Sequence, residues 1–344
     1  MEKTVITETN TDDLIHVADA PSIEGLRFRK FRGDTDFPAM VRVFNEVNRA
    51  AGIKQVSTVE SLSKTYSNLL HSDTATDLVM IEVNGELVGY KRIMWKVELD
   101  GTRTYTHFGF LLPEWRGKGI DTALVRHSEA RLREIASAHP DTGPRWFSAW
   151  AWDATPTMHD VLLHEGYTPV RYGYNMVRPD LENIPDVPVP EGLEVRPVRA
   201  EDLRPVWEAE VEAFRDHWGA AEPVEGDFER WQLDTPFQPE YWQVAWDVAT
   251  NEPAGMVRTF IDANANREHN HKRGYTENIS VRRQYRRRGL ARALMARSFQ
   301  LQKELGMTET ALSVDAQNPN GALQLYEDMG FRVTQTETGY RKAL

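Results

Sequence analysis

Four short segments of this chain recur in the same order after a nearly constant gap, and that repetition limits the available folds more than any other feature. Gly25-Leu26-Arg27-Phe28-Arg29 returns as Gly192-Leu193-Glu194-Val195-Arg196, and Leu87-Val88-Gly89 as Pro253-Ala254-Gly255. Trp115-Arg116-Gly117-Lys118-Gly119 with Ala123-Leu124 returns as Tyr285-Arg286-Arg287-Arg288-Gly289 with Ala293-Leu294. His164-Glu165-Gly166-Tyr167 returns as Asp328-Met329-Gly330-Phe331. The offsets are 167, 166, 170 and 164 residues. A period this long exceeds any solenoid unit and implies a duplicated domain. With 344 residues the chain has room for two cores.

The repeat divides the chain into a first copy over 25–178 and a second over 192–344. Between them, residues 179–191 include Pro179, Pro185, Pro188 and Pro190, which can continue neither a helix nor a central strand, so this reads as a semi-rigid linker. Residues 1–24 have no counterpart in the second copy. They read as a poorly ordered tail or a strap across the surface.

Periodicity is clearest in the second copy. Leu193 to Val198 alternates as a half-buried strand, and Leu203, Val206, Trp207, Val211 and Phe214 have helical spacing. Trp242–Val248 and Ala254–Ile261 read as paired strands, with further strands at Tyr275–Val281 and Thr310–Val314. Leu290, Ala293, Leu294, Leu301 and Leu305 mark a long helix stopped by Gly306. A shorter helix is expected from Asn318-Pro319, with Asn318 as N-cap, to Gly330. The first copy repeats this order, its long helix running from Lys118 to Ala136. Strands interspersed with helices predict an α/β fold with a mixed sheet. Trp146, Trp150 and Trp152 share one face of a strand, which reads as core or, alternatively, as an aromatic substrate wall.

Composition removes several kinds of function. The absence of cysteine excludes disulfides, Cys-ligated zinc, iron–sulfur clusters and protein-thiol nucleophiles. No apolar run is long enough for a membrane span, and the N-terminus lacks the apolar core of a secretory signal, so a cytoplasmic protein is expected. A net charge of −11 argues against nucleic acid as the main partner. His269 and His271 could touch a metal, but two spaced histidines in a loop are usually only solvated, and no metal is expected.

Within this acidic chain, residues 267–297 hold ten Lys plus Arg and two acidic residues, a local charge of +8. The run Arg286-Arg287-Arg288-Gly289-Leu290-Ala291 falls where a strand and loop lead into the long helix. A helix start presents unpaired N–H groups and partial positive charge, Gly289 lets backbone approach an anion, and Ala291 leaves room in the first turn. A solvated basic face or a nucleic-acid patch is the plainer reading; the placement favours a pyrophosphate site.

At these residues the sequence resembles the GNAT superfamily of acyl-CoA-dependent N-acetyltransferases, whose motif is Gln or Arg, two residues, Gly, one residue, then Gly or Ala. Arg286-x-x-Gly289-x-Ala291 matches it, and Asn318, Tyr326 and Gly330-Phe331 follow in the family's order. The resemblance covers 192–344 well and 25–178 more weakly, a tandem layout like that of mycothiol-synthase-type proteins. It implies tandem GNAT domains, each a mixed, mostly antiparallel sheet flanked by helices. It further implies acetyl-CoA as co-substrate, with Ile279, Ser280 and Val281 along its pantetheine arm. Amides of Arg288, Gly289, Leu290 and Ala291 would hold its pyrophosphate, with side-chain charge from Arg287 or Arg288 and a contact from Asn318. Tyr326 corresponds to the family tyrosine that protonates the departing thiolate, and Glu277 is a candidate base for the incoming amine. The plainer roles are packing for Tyr326, a surface strand position for Glu277 and an N-cap for Asn318.

The first copy departs where chemistry matters. Asp121 stands where Gly or Ala is expected, and Leu162 stands opposite Tyr326. It therefore reads as a degenerate copy that shapes the cleft or an interface. The resulting expectation is an N-acetyltransferase acting by direct attack of a small-molecule or peptide amine, as monomer or homodimer. The alternatives are a non-catalytic acyl-CoA sensor, a transferase of longer acyl chains, or a nucleic-acid-binding module.

Overall fold

The computed structural model describes residues 13–318 and 321–344. The first half runs β1 (Leu26–Arg29), α1 (Phe37–Ala50), α2 (Val59–Ser67), β2 (Leu78–Val83), β3 (Glu86–Val97), β4 (Arg103–Leu111), α3 (Ile120–Ser137), β5 (Arg145–Trp152), α4 (Pro156–His164) and β6 (Thr168–Arg178). The second follows with β7 (Leu193–Arg196), α5 (Leu203–Phe214), α6 (Asp227–Trp231), β8 (Gln243–Asp247), β9 (Pro253–Phe260), α7 (Ala263–His269), β10 (Arg273–Val281), α8 (Leu290–Glu304), β11 (Glu309–Asp315), α9 (Ala322–Asp328) and β12 (Arg332–Ala343).

Among the described residues all twelve strands form one sheet, in the order β1-β2-β3-β4-β5-β12-β6-β11-β10-β9-β8-β7. Only β4–β5 and β10–β11 pair in parallel; the other neighbours are antiparallel. Sequence order and sheet order therefore part company at the centre. The last strand of the first half, β6, lies beside β11 of the second, with Thr310 opposite Arg178 through Asp315 opposite Gly173. The last strand of the chain, β12, lies beside β5, with Glu337 opposite Trp152 through Ala343 opposite Trp146. Each half gives its final strand to the other. The cores follow suit: Met176 of β6 is buried in the second half's core, and Tyr340 of β12 in the first half's. An exchange of this kind makes the central seam continuous hydrogen-bonded sheet rather than a surface contact.

The linker lies against the second half. Leu181 is buried, and Ile184, Val187 and Val189 pack on the core of Leu290, Phe299 and Phe331. Buried Arg178 holds the end of α9, donating at 2.6 Å to the Met329 carbonyl and at 2.6 Å to that of Glu182. A cation suits a helix C-terminus. At Gly330, φ is +89° and a Cβ would fall 2.6 Å from that guanidinium, so the second repeat's Gly-Phe pair needs its glycine.

Of the N-terminal 24 residues, those from 13 onward form a strap. Leu14 bridges to Arg29, the Ile15 N–H donates to the Phe28 carbonyl at 2.8 Å, and Val17 is buried. The earlier part of that tail lies outside the described residues. On β5 the packing is the reverse of the core reading for the tryptophans. Phe147, Ala149 and Ala151 fill the core, while Trp150 is 37 % exposed. Both faces of this strand are apolar, so alternation alone gave no direction. The short helix α9 likewise starts later than expected, with Gly321 at its N-cap and Asn318 upstream; Pro319 lies outside the described residues.

Candidate active site

The parallel pairing of β10 with β11 covers only Arg273–Tyr275 against Glu309–Ala311. Beyond Tyr275 the strands separate, and β10 carries a bulge between Glu277 and Ser280, with Asn278 at φ +49°. Such a bulge re-aims side chains and frees backbone from the ladder. Glu210 of α5 braces it, accepting from the Asn278 side chain and, at 2.9 Å, from the Trp231 indole N–H. Under the split, a buried hydroxyl network fixes α8 to three strands: Thr259 to Ser298 at 2.7 Å, Thr276 to Thr310 at 2.9 Å and Gln302 to Thr276 at 2.9 Å.

The opening leads into a cleft of about 1130 Å³. Glu277, Ile279, Ser280, Val281, Arg286, Arg287, Gly289, Leu290, Ala291, Asn318 and Tyr326 all line it. Arg288 does not, since its guanidinium donates to the Glu191 carbonyl at 2.7 Å. At the head of α8 the first backbone bond runs from the Ala293 N–H to the Gly289 carbonyl at 3.1 Å, leaving the preceding amides without helical acceptors. Gly289 has φ +87°, and a Cβ there would meet nothing within 4 Å, so the loop faces open space. Those amides, the open ground before them and the freed strand backbone suit a ligand with an extended arm ending in phosphate.

The arginines divide their roles. Arg286 anchors the loop, with Nε donating to the Val281 carbonyl at 2.9 Å and Nη1 to Asp216 at 2.7 Å. Asp216 also takes Arg283, and these two guanidiniums hold its carboxyl far below the usual range. Arg287, at φ +64°, lines the cleft and makes no hydrogen bond or ion pair with a described residue. Among the described arginines that line the cleft, Arg171, Arg286 and Arg292 are each paired with a carboxylate.

Deeper in, burial pushes the Glu277 carboxyl up to about 8, although the Ser313 N–H donates to it at 2.9 Å and pulls the other way. Tyr326, 7 % exposed, has its phenol pushed well above the ordinary value by burial and then by the Glu277 charge. Both shifts run upward, so at a pH near 8 the carboxyl can accept a proton while the phenol still holds one to give. Asn318 sits at the cleft wall with its side-chain nitrogen 3.4 Å from His217 Nε2.

His217, Trp218 and Asp216 were not singled out in the sequence. They lie on the turn after α5, where no repeat or periodic pattern marks them. Trp218 meets Trp150 edge to face at 6.2 Å, and both line the cleft with Arg171, Tyr172 and Glu337. The exchanged strands β6 and β12 thus supply one wall.

The model of the acetyltransferase (GNAT) family matches residues 42–139 and 203–331, one stretch in each half. The chain belongs to this family. As a GNAT chain it is an acyl-CoA-dependent N-acyltransferase. Its relatives include the mycothiol acetyltransferases of Salinispora arenicola, 28 % identical across 78 % of this chain and 82 % of that protein, and of Nocardiopsis dassonvillei, 28 % identical across 66 % and 71 %. Among solved structures, a GCN5-related N-acetyltransferase from Sphaerobacter thermophilus is 25 % identical, with a TM-score of 0.68 over 93 % of this chain and 96 % of that one. A tandem GNAT protein from the clavulanic acid biosynthesis pathway shares the fold at 17 % identity, with a TM-score of 0.63 over 92 % and 98 %. Elsewhere in this GNAT chain, His269 and His271 lie with ring centres 5.6 Å apart. Among the described residues no group of three or more His, Cys, Asp or Glu could hold a metal, and no helix is long and apolar enough to cross a membrane.

Proposed function

We propose that the second half, completed by β6, transfers an acetyl group from acetyl-CoA to a primary amine by direct attack, and that the first half is not catalytic. The observation that carries this reading is the meeting of Glu277, Tyr326 and the Arg286–Ala291 loop in one cleft at the opening between β10 and β11. The co-substrate supplies an activated thioester, so the protein has to position, move protons and stabilise charge.

Amides at the start of α8 hold the pyrophosphate, with Arg287 adding charge, while Ile279 to Val281 line the pantetheine arm. The amine arrives as ammonium, and Glu277 takes its proton directly or through one water. As the C–N bond forms and the C–S bond breaks, Tyr326 gives its phenolic proton to the leaving sulfur, and the second proton of the attacking nitrogen passes through water to the phenolate this leaves. A phenol whose proton affinity is raised stays protonated at neutral pH and remains available as the donor. Glu277 returns to its starting state by exchange with solvent.

The relatives named mycothiol acetyltransferase support a small-molecule acceptor, and the cleft wall of Trp150, Trp218 and Glu337 favours one with both apolar and hydrogen-bonding groups. The test is a screen of primary amines that follows CoA release with acetyl-CoA as donor. Acetyl-CoA-dependent release with an amine, lost in Glu277→Gln and Tyr326→Phe, is expected. Release that both variants retain would overturn the assignment.

A further inference from the structure

The first half has a cavity of its own, about 200 Å³, between β3, β4, α1 and the start of α3. Most of its wall is apolar, Ile81, Phe108, Phe110 and Trp152 included. An apolar cavity of about 150 Å³ is already large enough for a benzene-sized guest. What sets this one apart is Lys91, which lines it, is only 6 % exposed and makes no hydrogen bond or ion pair with any described residue. An ammonium taken out of water without a partner is costly.

Burial brings the Lys91 ammonium down to about 8, and the Asp121 and Glu129 charges offset this only in part. Glu129 is already taken, accepting Lys342 at 2.7 and 2.8 Å and Arg133 at 3.0 Å. Asp121, 8 % exposed, has its carboxyl pushed up by burial and pulled back by the Lys91 and Arg116 charges. His107, its Nε2 2.8 Å from the Tyr167 hydroxyl, is held neutral by burial and by Lys91 and Lys342. With Arg116 also on the wall, two cations face one carboxyl in a chain whose net charge is −11.

Across the ladder Lys91 faces a glycine, Gly109, where a Cβ would lie 3.0 Å from the Lys91 Cα and 3.1 Å from its Cβ. Acetyl-CoA is a poor candidate for this place. The neighbouring loop is covered by Pro21, 3.5 Å from where a Gly119 Cβ would stand, and Asp121 occupies the helix start.

We infer that this cavity binds a small carboxylate with an apolar, ring-sized body, its carboxylate paired with the Lys91 ammonium. Calorimetric titration of the full chain with benzoate, and with benzamide as its neutral counterpart, tests this. Benzoate should bind once per chain, with benzamide at least tenfold weaker. Lys91→Met keeps the volume and removes the charge; it should weaken benzoate at least tenfold and leave acetyl-CoA affinity unchanged. Crystals soaked with 4-bromobenzoate give a reading that needs no variant: a bromine anomalous peak within the cavity supports the site. No saturable benzoate binding, equal binding by Lys91→Met, or bromine only elsewhere would overturn it.

Discussion

The chain contains the same loop twice, and the two copies differ in almost everything except backbone. Gly119 and Gly289 both have φ +87°, and both precede a helix whose first bond, Ala123 to Gly119 or Ala293 to Gly289, measures 3.1 Å. Arg116 Nε donates to the Leu111 carbonyl at 3.0 Å as Arg286 Nε does to Val281 at 2.9 Å. In the first copy, however, Pro21 covers the loop and Asp121 is buried in the first helical turn. The strand before it keeps regular pairing from Gly89–Leu111 to Val97–Arg103, with no bulge. Leu162 is buried in the core at the position matching Tyr326. The arginine and glycine of the motif are thus a device for turning a strand into a helix. We propose that anion binding needs more: open ground before the glycine, a small residue in the first turn and the β10 bulge, since β4 likewise pairs in parallel with β5 only over Arg103–Thr106.

The largest effect that would sharpen this contrast comes from the acid. Tyr326→Phe should lower kcat by roughly 10²–10⁴-fold with acetyl-CoA affinity near wild type. An unchanged kcat, where chemistry limits the rate, would reduce Tyr326 to the packing role of Leu162. Next comes the pH profile. With Glu277 near 8, its basic form grows as pH rises, so kcat/KM should climb with unit slope below about 8 and level above it. Glu277→Gln should remove that limb, and a limb that survives would assign it to another group.

Glu277 also leaves a mark on stability. Its carboxyl binds its proton more tightly folded than unfolded, so its contribution declines as pH rises from the unfolded value near 4.5 through about 8. Relative to wild type, Glu277→Gln should therefore gain in Tm between pH 5 and 9. A difference flat with pH would contradict the burial. Smaller still, Arg287→Ala should weaken acetyl-CoA about tenfold, the scale of one charge-assisted contact, while Arg288→Ala changes it little. Equal losses would show that Arg288 leaves the Glu191 carbonyl to meet the ligand.

Much of this was legible in the sequence. Local signals sufficed for the repeat, for the long helices, whose apolar stripes follow a 3.6-residue period, and for the loop with Arg286, Gly289 and Ala291. The exchange of β6 and β12 was not legible, because pairing Ser313 with Asn175, or Tyr340 with Ala149, joins residues far apart in the chain and leaves no local trace. Asn318 followed by Pro319 looks like a helix start, yet the helix begins after Gly321. Glu210, which braces the bulge, and Asp216, which anchors Arg286, are ordinary acidic residues until the fold brings them to their partners.

The central claim is that one half of the molecule, and not both, takes acetyl-CoA. Calorimetric titration of the wild-type chain and of Gly289→Glu tests it most directly, because the substitution adds bulk and negative charge in front of the α8 amides. The account predicts one acetyl-CoA per wild-type chain and none for a Gly289→Glu chain whose circular dichroism and melting remain near wild type. Two sites in the wild type, or one surviving in the folded variant, would contradict it and would mean that Arg116, Lys118 and Gly119 hold phosphate despite Asp121 and Pro21.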